Sequence, residues 1–149
     1  MSATVKFSEE IVGRIEAHCN KEVEYWISHC TEHEKNVDLD NINRASADPA
    51  FGYKMLEELA NNFIQCDTNS DDHIDGEEFI KFQKLQQASE KKRGGFSGRY
   101  PGQDAELYLI INSLSPSEEG ITMPEMIAFS EKHKEIKESV MRAAAARQP

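Results

Sequence analysis

The chain has 149 residues, and its 27 acidic and 17 basic side chains give a formal net charge of −10 at pH 7. This acidity disfavours nucleic acids and anionic membrane surfaces as partners and suits a cation binder with basic targets. No apolar run reaches the length of a membrane span, and the amino-terminal residues lack the features of a signal peptide or a myristoylation site. The three cysteines, an odd number, argue against a disulfide scaffold. We therefore expect no membrane insertion and a cytoplasmic location, with association with the cytoskeleton left open.

The first element is a long helix predicted over residues 8–33. Ser8 is a candidate N-cap, and apolar residues recur at three- and four-residue steps from Ile11 to Cys30. His29 and His33 are spaced like a pair of metal ligands, but no further ligand cluster is spaced to complete such a site. The apolar stripe predicts packing on the other helices.

The strongest functional signal is the segment 67–78. Its oxygen-bearing side chains fall at positions 1, 3, 5, 9 and 12 of a twelve-residue stretch, the spacing with which a short loop surrounds Ca²⁺. The expected ligands are Asp67, Asn69, Asp71, the backbone carbonyl of His73, Asp75 and Glu78. Glu78 would bind through both carboxylate oxygens. Mg²⁺ is the expected competitor.

The same segment also carries structural signals. Ile74 is placed to form a short β-contact with a partner loop, and Asp75 and Glu78 form a capping pair that starts the next helix. With the flanking apolar residues Leu59, Phe63, Phe79 and Phe82, the segment resembles an EF-hand of the calmodulin superfamily. One position departs from that pattern, because Asp72 stands where the family has a glycine in a left-handed turn.

Two further segments are candidates for degenerate loops. If Leu39 is a β-contact residue, residues 32–43 form a loop with a poor ligand set, 35 residues before the corresponding Ile74. An ordinary helix–loop–helix is the alternative. Aligning Ile121 with Ile74 gives a third loop that lacks its first two ligands but has capping signals at Ser115-Pro116 with Glu118 and at Thr122 with Glu125. The sequence leaves open whether the central loop pairs with the first or the third.

The predicted fold class is all-α, with three helix–loop–helix units and a short inter-loop β-contact. Asp48 and Pro49 predict the start of the helix that leads to Asp67. We expect residues 1–92 to hold the first two units, 93–102 to be a basic, glycine-rich mobile linker, and 103–149 to form the third unit. The alanine-rich tail is expected to fray.

The resemblance implies a Ca²⁺-binding regulatory protein, not an enzyme. In this interpretation, binding of one Ca²⁺ exposes a groove for a specific protein target, such as a basic amphipathic helix. Candidate groove residues are Met55, Phe79, Phe82, Met123 and Met126. The alternative is a light-chain-like adaptor that holds its partner at all Ca²⁺ levels, and a Ca²⁺ buffer ranks last. A homodimer, in which a second copy completes an unpaired loop, stays open.

Overall fold

The computed structural model describes residues 5–67, 71–114 and 120–147, and these residues form six α-helices and two short β-strands. In chain order the elements are α1 (Glu9–His29), α2 (Glu32–Ala47), α3 (Pro49–Cys66), β1 (His73–Ile74), α4 (Gly76–Lys92), α5 (Gln103–Asn112), β2 (Ile121–Thr122) and α6 (Met123–Ala146). The prediction of a mostly helical fold with a short β-contact is confirmed.

Most helices begin at the capping residues that the sequence predicts. The Ser8 hydroxyl accepts the N–H of Ile11, and the Asp48 carboxylate accepts the N–H of Ala50 just ahead of α3, in which Pro49 is the first residue. Side chains of this kind satisfy the amide groups that the first turn of a helix leaves unpaired.

The prediction of a degenerate loop at residues 32–43 is wrong, because α2 runs without interruption through it. The long first helix instead ends at His29. Thr31 and Glu34 form a capping box, in which each side chain accepts the other residue's backbone N–H. This pair starts a new helix at Glu32, and no proline or glycine stops it before Asp48-Pro49.

The central loop pairs with the third unit. β1 and β2 are antiparallel, with Ile74 opposite Ile121 and His73 opposite Thr122. Gly120 makes this close approach possible, because its φ of 112° is unfavourable for side-chain-bearing residues and an added Cβ would overlap the carbonyl of Ile74. Ile74 and Ile121 are both fully buried.

Two hydrophobic clusters hold the helices together. The larger cluster joins residues from α1, α3, α4, α5 and α6 with the two strands, and it includes Ile15, Phe63, Phe79, Phe82, Ile110 and Phe129. The smaller cluster contains Val23, Trp26, Ile42, Met141 and Ala144. Ala144 lies in the tail that was expected to fray, so the end of α6 packs on α1 instead.

The segment 93–102 packs against the helices, which contradicts the expectation of a solvated, mobile linker. Phe96 is partly buried and packs against the smaller cluster, and its N–H donates to the Asp38 carboxylate, which also accepts the indole N–H of Trp26. Arg99 forms two hydrogen bonds with Glu90. The aromatic residue and the partly buried ion pair anchor this segment despite its glycines.

The three cysteines are free thiols, as expected. Burial raises the pKa of the Cys19 thiol to about 12, which makes it unreactive at neutral pH. Within the described ranges, no helix combines the length and the apolar character needed to cross a membrane.

Candidate functional site

The loop between α3 and α4 folds back on the side chain of Asp67. The two oxygens of this carboxylate accept the N–H groups of Asp71 at 3.2 Å and Asp72 at 2.9 Å. Asp72 has a φ of 65°, the left-handed conformation that this position of the resembled family requires. The predicted ligand Asn69 lies outside the described residues.

Three further predicted ligands, Asp71, His73 and Asp75, lie on the two sides of this turn. The N–H of His73 donates to the Asp71 carboxylate at 3.0 Å, and the side chains of Asp71 and Asp75 are exposed. The His73 backbone, whose carbonyl is the predicted ligand, belongs to β1 and is fixed by pairing with Thr122. The segment from Asp71 to Asp75 is therefore held by both the turn and the strand pair.

Glu78, the predicted bidentate ligand, sits at the start of α4 and is 7% exposed. Its carboxylate accepts the N–H of Asp75 at 3.0 Å, while the Asp75 carboxylate accepts the N–H of Glu78 at 2.9 Å. Glu78 therefore caps α4. Among the described residues, no three carboxylates of the loop lie within 4.8 Å of one another. An ion bound by both oxygens of Glu78 would share Oε1 with the N–H of Asp75.

The residues present nevertheless fit a hard cation. Asp67, Asp71, Asp75 and Glu78 offer carboxylate oxygens from one short loop, and His73 offers a carbonyl oxygen. Oxygen donors of this kind suit Ca²⁺ better than softer metals. The turn at Asp72 and the helix start at Asp75 are already in place. These features leave the side-chain carboxylates as the part that would rearrange.

A cavity of about 290 Å³ lies between the helices, and all six helices contribute to its lining. Four of the five predicted partner-binding residues line it, namely Met55, Phe79, Phe82 and Met126. Phe79, Phe82 and Met126 are at most 2% exposed and belong to the larger cluster. Met123 packs against the same cluster without lining the cavity. In this arrangement a partner could reach Phe79, Phe82 and Met126 only if the helices separated, whereas Met55 and Met123 are partly exposed.

Comparisons with family models, with curated proteins and with solved structures gave no match.

A second polar site lies between α1, α5 and α6, and we call it the Glu22 cluster. Its members are His18, Lys21, Glu22, Tyr100, Glu106, His133 and Lys137. One carboxylate oxygen of Glu22, Oε1, lies 2.7 Å from Nε2 of both His18 and His133. The other, Oε2, lies 3.0 Å from Nζ of Lys137. Because Glu22 is 6% exposed, its charge is balanced almost entirely by these neighbours.

The cluster shifts the ionisation of its members. Burial alone would raise the pKa of Glu22, but Lys137, His133 and His18 outweigh it and hold that pKa well below its usual range. Burial would likewise lower the pKa of His18, but the carboxylates of Glu22 and Glu106 raise it overall. The two ring nitrogens of His18 thus face two carboxylates.

Sequence reasoning did not find this cluster. It considered His29 and His33 instead, and both are exposed, with His29 Nδ1 placed 2.9 Å from the carbonyl of Tyr25. The available signal was the spacing of His18 and Glu22, four residues apart and within the buried stripe of the first helix. The third member, His133, is 111 residues from Glu22 along the chain, so only the packing of α6 on α1 reveals it.

Proposed function

We propose that this chain is a Ca²⁺-binding regulatory protein that binds one Ca²⁺ through residues 67–78 and acts on a protein target. The observation that carries the proposal is the left-handed turn at Asp72 in a loop whose carboxylates and carbonyl have the spacing of a Ca²⁺ site. Because the loop is partnered by a strand from a unit without a full ligand set, we expect a modest affinity, with a dissociation constant on the order of 10⁻⁶–10⁻⁴ M.

The position of Glu78 supports a regulatory role. Its carboxylate caps α4, and the next residue, Phe79, is in the core, stacked at 5.9 Å on Phe82. A ligand that engages Glu78 therefore acts on the helix that carries both aromatic residues. These residues line the cavity, so a change in the position of α4 would alter the surface available to a target.

The acidic chain and the apolar lining of the cavity favour a basic amphipathic helix as the target. Such a helix would place apolar side chains among Met55, Phe79, Phe82 and Met126 and its basic face against the acidic surface. This requires the larger cluster to open.

The site is tested by titration calorimetry with Ca²⁺. Glu78→Gln should lower the affinity at least 10-fold, because the neutral side chain can no longer bind as a bidentate carboxylate. Glu77→Gln is the matched control, since it removes the same charge from the adjacent, exposed residue and should retain the heat of binding. If Glu78→Gln bound Ca²⁺ as tightly as the wild-type protein, the ligand assignment would be wrong.

An adaptor with Ca²⁺-independent binding is the second candidate, and one observation favours it. Both strands of the β-pair lead into helices started by reciprocal capping boxes, Asp75 with Glu78 and Thr122 with Glu125, which hold the loop ends without an ion. Binding of a hydrophobic dye separates the two functions. A regulatory protein should bind more dye in Ca²⁺ than in chelator, whereas an adaptor should bind the same amount in both.

A further inference from the structure

The Glu22 cluster contains three potential metal ligands from two helices. Nε2 of His18, Oε1 of Glu22 and Nε2 of His133 all lie within 4.8 Å of one another. Two imidazoles and one carboxylate form a donor set suited to Zn²⁺, with a fourth position available for water or another ligand. Glu22 and His133 also line the cavity, so this fourth position has space beside it.

The orientation of His18 supports a metal site more directly than the proximity of the ligands. Its Nδ1 lies 2.9 Å from Oε1 of Glu106 and 3.0 Å from the hydroxyl of Tyr100. A histidine that binds a metal usually donates its other ring N–H to a carboxylate, which fixes the ring and the tautomer. Glu106 fixes the imidazole with Nε2 on the side of the ring where Glu22 and His133 lie.

Nε2 of His18 is buried and forms no hydrogen bond within the described residues. His18 is 0% exposed. Although its Nε2 lies 2.7 Å from Oε1 of Glu22, the two atoms are not aligned for a hydrogen bond. By contrast, His133 Nε2 is hydrogen-bonded to the same oxygen. A buried ring nitrogen without a directional partner is costly, and a metal ion would satisfy it.

We propose that His18, Glu22 and His133 form a binding site for a divalent transition metal, with Zn²⁺ the best match to the donors. Ligand atoms placed about 2.0–2.1 Å from tetrahedral Zn²⁺ are roughly 3.3 Å apart, so the present 2.7 Å spacings need to widen by about half an ångström. Small rotations of these side chains achieve this. The site is distinct from the Ca²⁺ loop and independent of the function proposed above.

The positive charge of Lys137 disfavours metal binding at this site, so its removal tests the proposal. Its ammonium group pairs with Oε2 of Glu22, whereas the two histidines contact Oε1. The positive charge of Lys137 would repel a divalent cation bound nearby. In Lys137→Met the Glu22 carboxylate loses this counter-charge, and a bound metal would replace it. Zn²⁺ should then bind at least 10-fold more tightly and raise the unfolding temperature by more than it does in the wild-type protein.

The experiment is a calorimetric titration of the chain with Zn²⁺, together with Co²⁺ as a visible probe of four-coordinate geometry. We expect one ion per chain, an affinity loss of about 10- to 100-fold in Glu106→Gln, and a larger loss in His133→Ala. The control is the double variant His29→Ala/His33→Ala, which removes two exposed histidines and should bind like the wild-type protein.

The outcomes decide the proposal even where a variant is unstable. His133 is partly exposed, so His133→Ala should fold, and circular dichroism checks this. If it does not fold, Lys137→Met still tests the site through its gain in affinity. The proposal is overturned if the wild-type protein binds no Zn²⁺, if the control removes binding, or if Lys137→Met gains nothing. Glu78→Gln should bind Zn²⁺ unchanged, which separates this result from the test of the Ca²⁺ loop.

Discussion

Replacement of Gly120 by alanine tests whether the β-pair couples the two loops. The residue has a φ of 112°, and a Cβ there would lie 2.5 Å from the carbonyl carbon of Ile74 and 2.9 Å from the amide nitrogen of Asp75. Ordinary contacts of a Cβ begin near 3.4 Å, and the carbonyl oxygen of Ile74 lies nearer than either of these atoms, so β1 would have to retreat by more than 0.9 Å. The neighbouring atoms are backbone and cannot move aside by rotating a side chain.

The expected cost combines two effects. The left-handed backbone costs a residue with a side chain about 1–3 kcal/mol, and the overpacking costs a similar amount. We expect Gly120→Ala to lower the free energy of unfolding by about 2–6 kcal/mol, which corresponds to roughly 6–18 °C in melting temperature at about 3 °C per kcal/mol. Affinity for Ca²⁺ should fall as well, because Ile74 and Asp75 belong to the loop.

Urea unfolding followed by fluorescence measures this cost, since Trp26 is the single tryptophan and is 4% exposed. Gly13→Ala is the matched control. Gly13 lies within α1 and nothing stands within 4 Å of an added Cβ, so this variant should be stabilised by about 0.5–1 kcal/mol. A Gly120→Ala protein as stable as the wild type would refute the inferred close approach of the two strands.

Two further variants test the turn and a buried carboxylate. Asp72→Gly should stabilise the chain by about 1 kcal/mol and tighten Ca²⁺ binding, because glycine adopts a φ of 65° without strain, whereas Asp40→Gly on the exposed face of α2 should destabilise it. For Asp38, burial raises the pKa above 3.8 and outweighs the hydrogen bonds from Trp26 and Phe96. The folded chain then keeps a proton that the unfolded chain has released, so the contribution of Asp38 to stability declines as the pH rises from 3.8 through the folded pKa. In urea titrations at several pH values, the stability of the wild type relative to Asp38→Asn should fall over this pH range, and parallel pH profiles would contradict the role of Asp38.

Local sequence signals determined the helix starts and the candidate loop. Ser8, Asp48 and the pair of Asp75 with Glu78 cap the helices that they were predicted to cap. Asp72 adopts the left-handed turn expected of its position. These features depend on residues only a few positions apart, so the chain reveals them without its tertiary structure. The error at residues 32–43 is also local, because the capping box of Thr31 and Glu34 outweighed a match in repeat spacing.

Contacts between distant residues were decided by tertiary packing alone. The pairing of Ile74 with Ile121 rather than with the first unit depends on Gly120, which lets the two backbones approach. The packing of Phe96 depends on Trp26 and Asp38 of other segments, so its glycine-rich surroundings misled the prediction of a mobile linker. The Glu22 cluster brings His18 and His133 together only because α6 packs along α1. Periodicity shows which face of each helix is buried, whereas the choice of partner depends on how all the faces fit together.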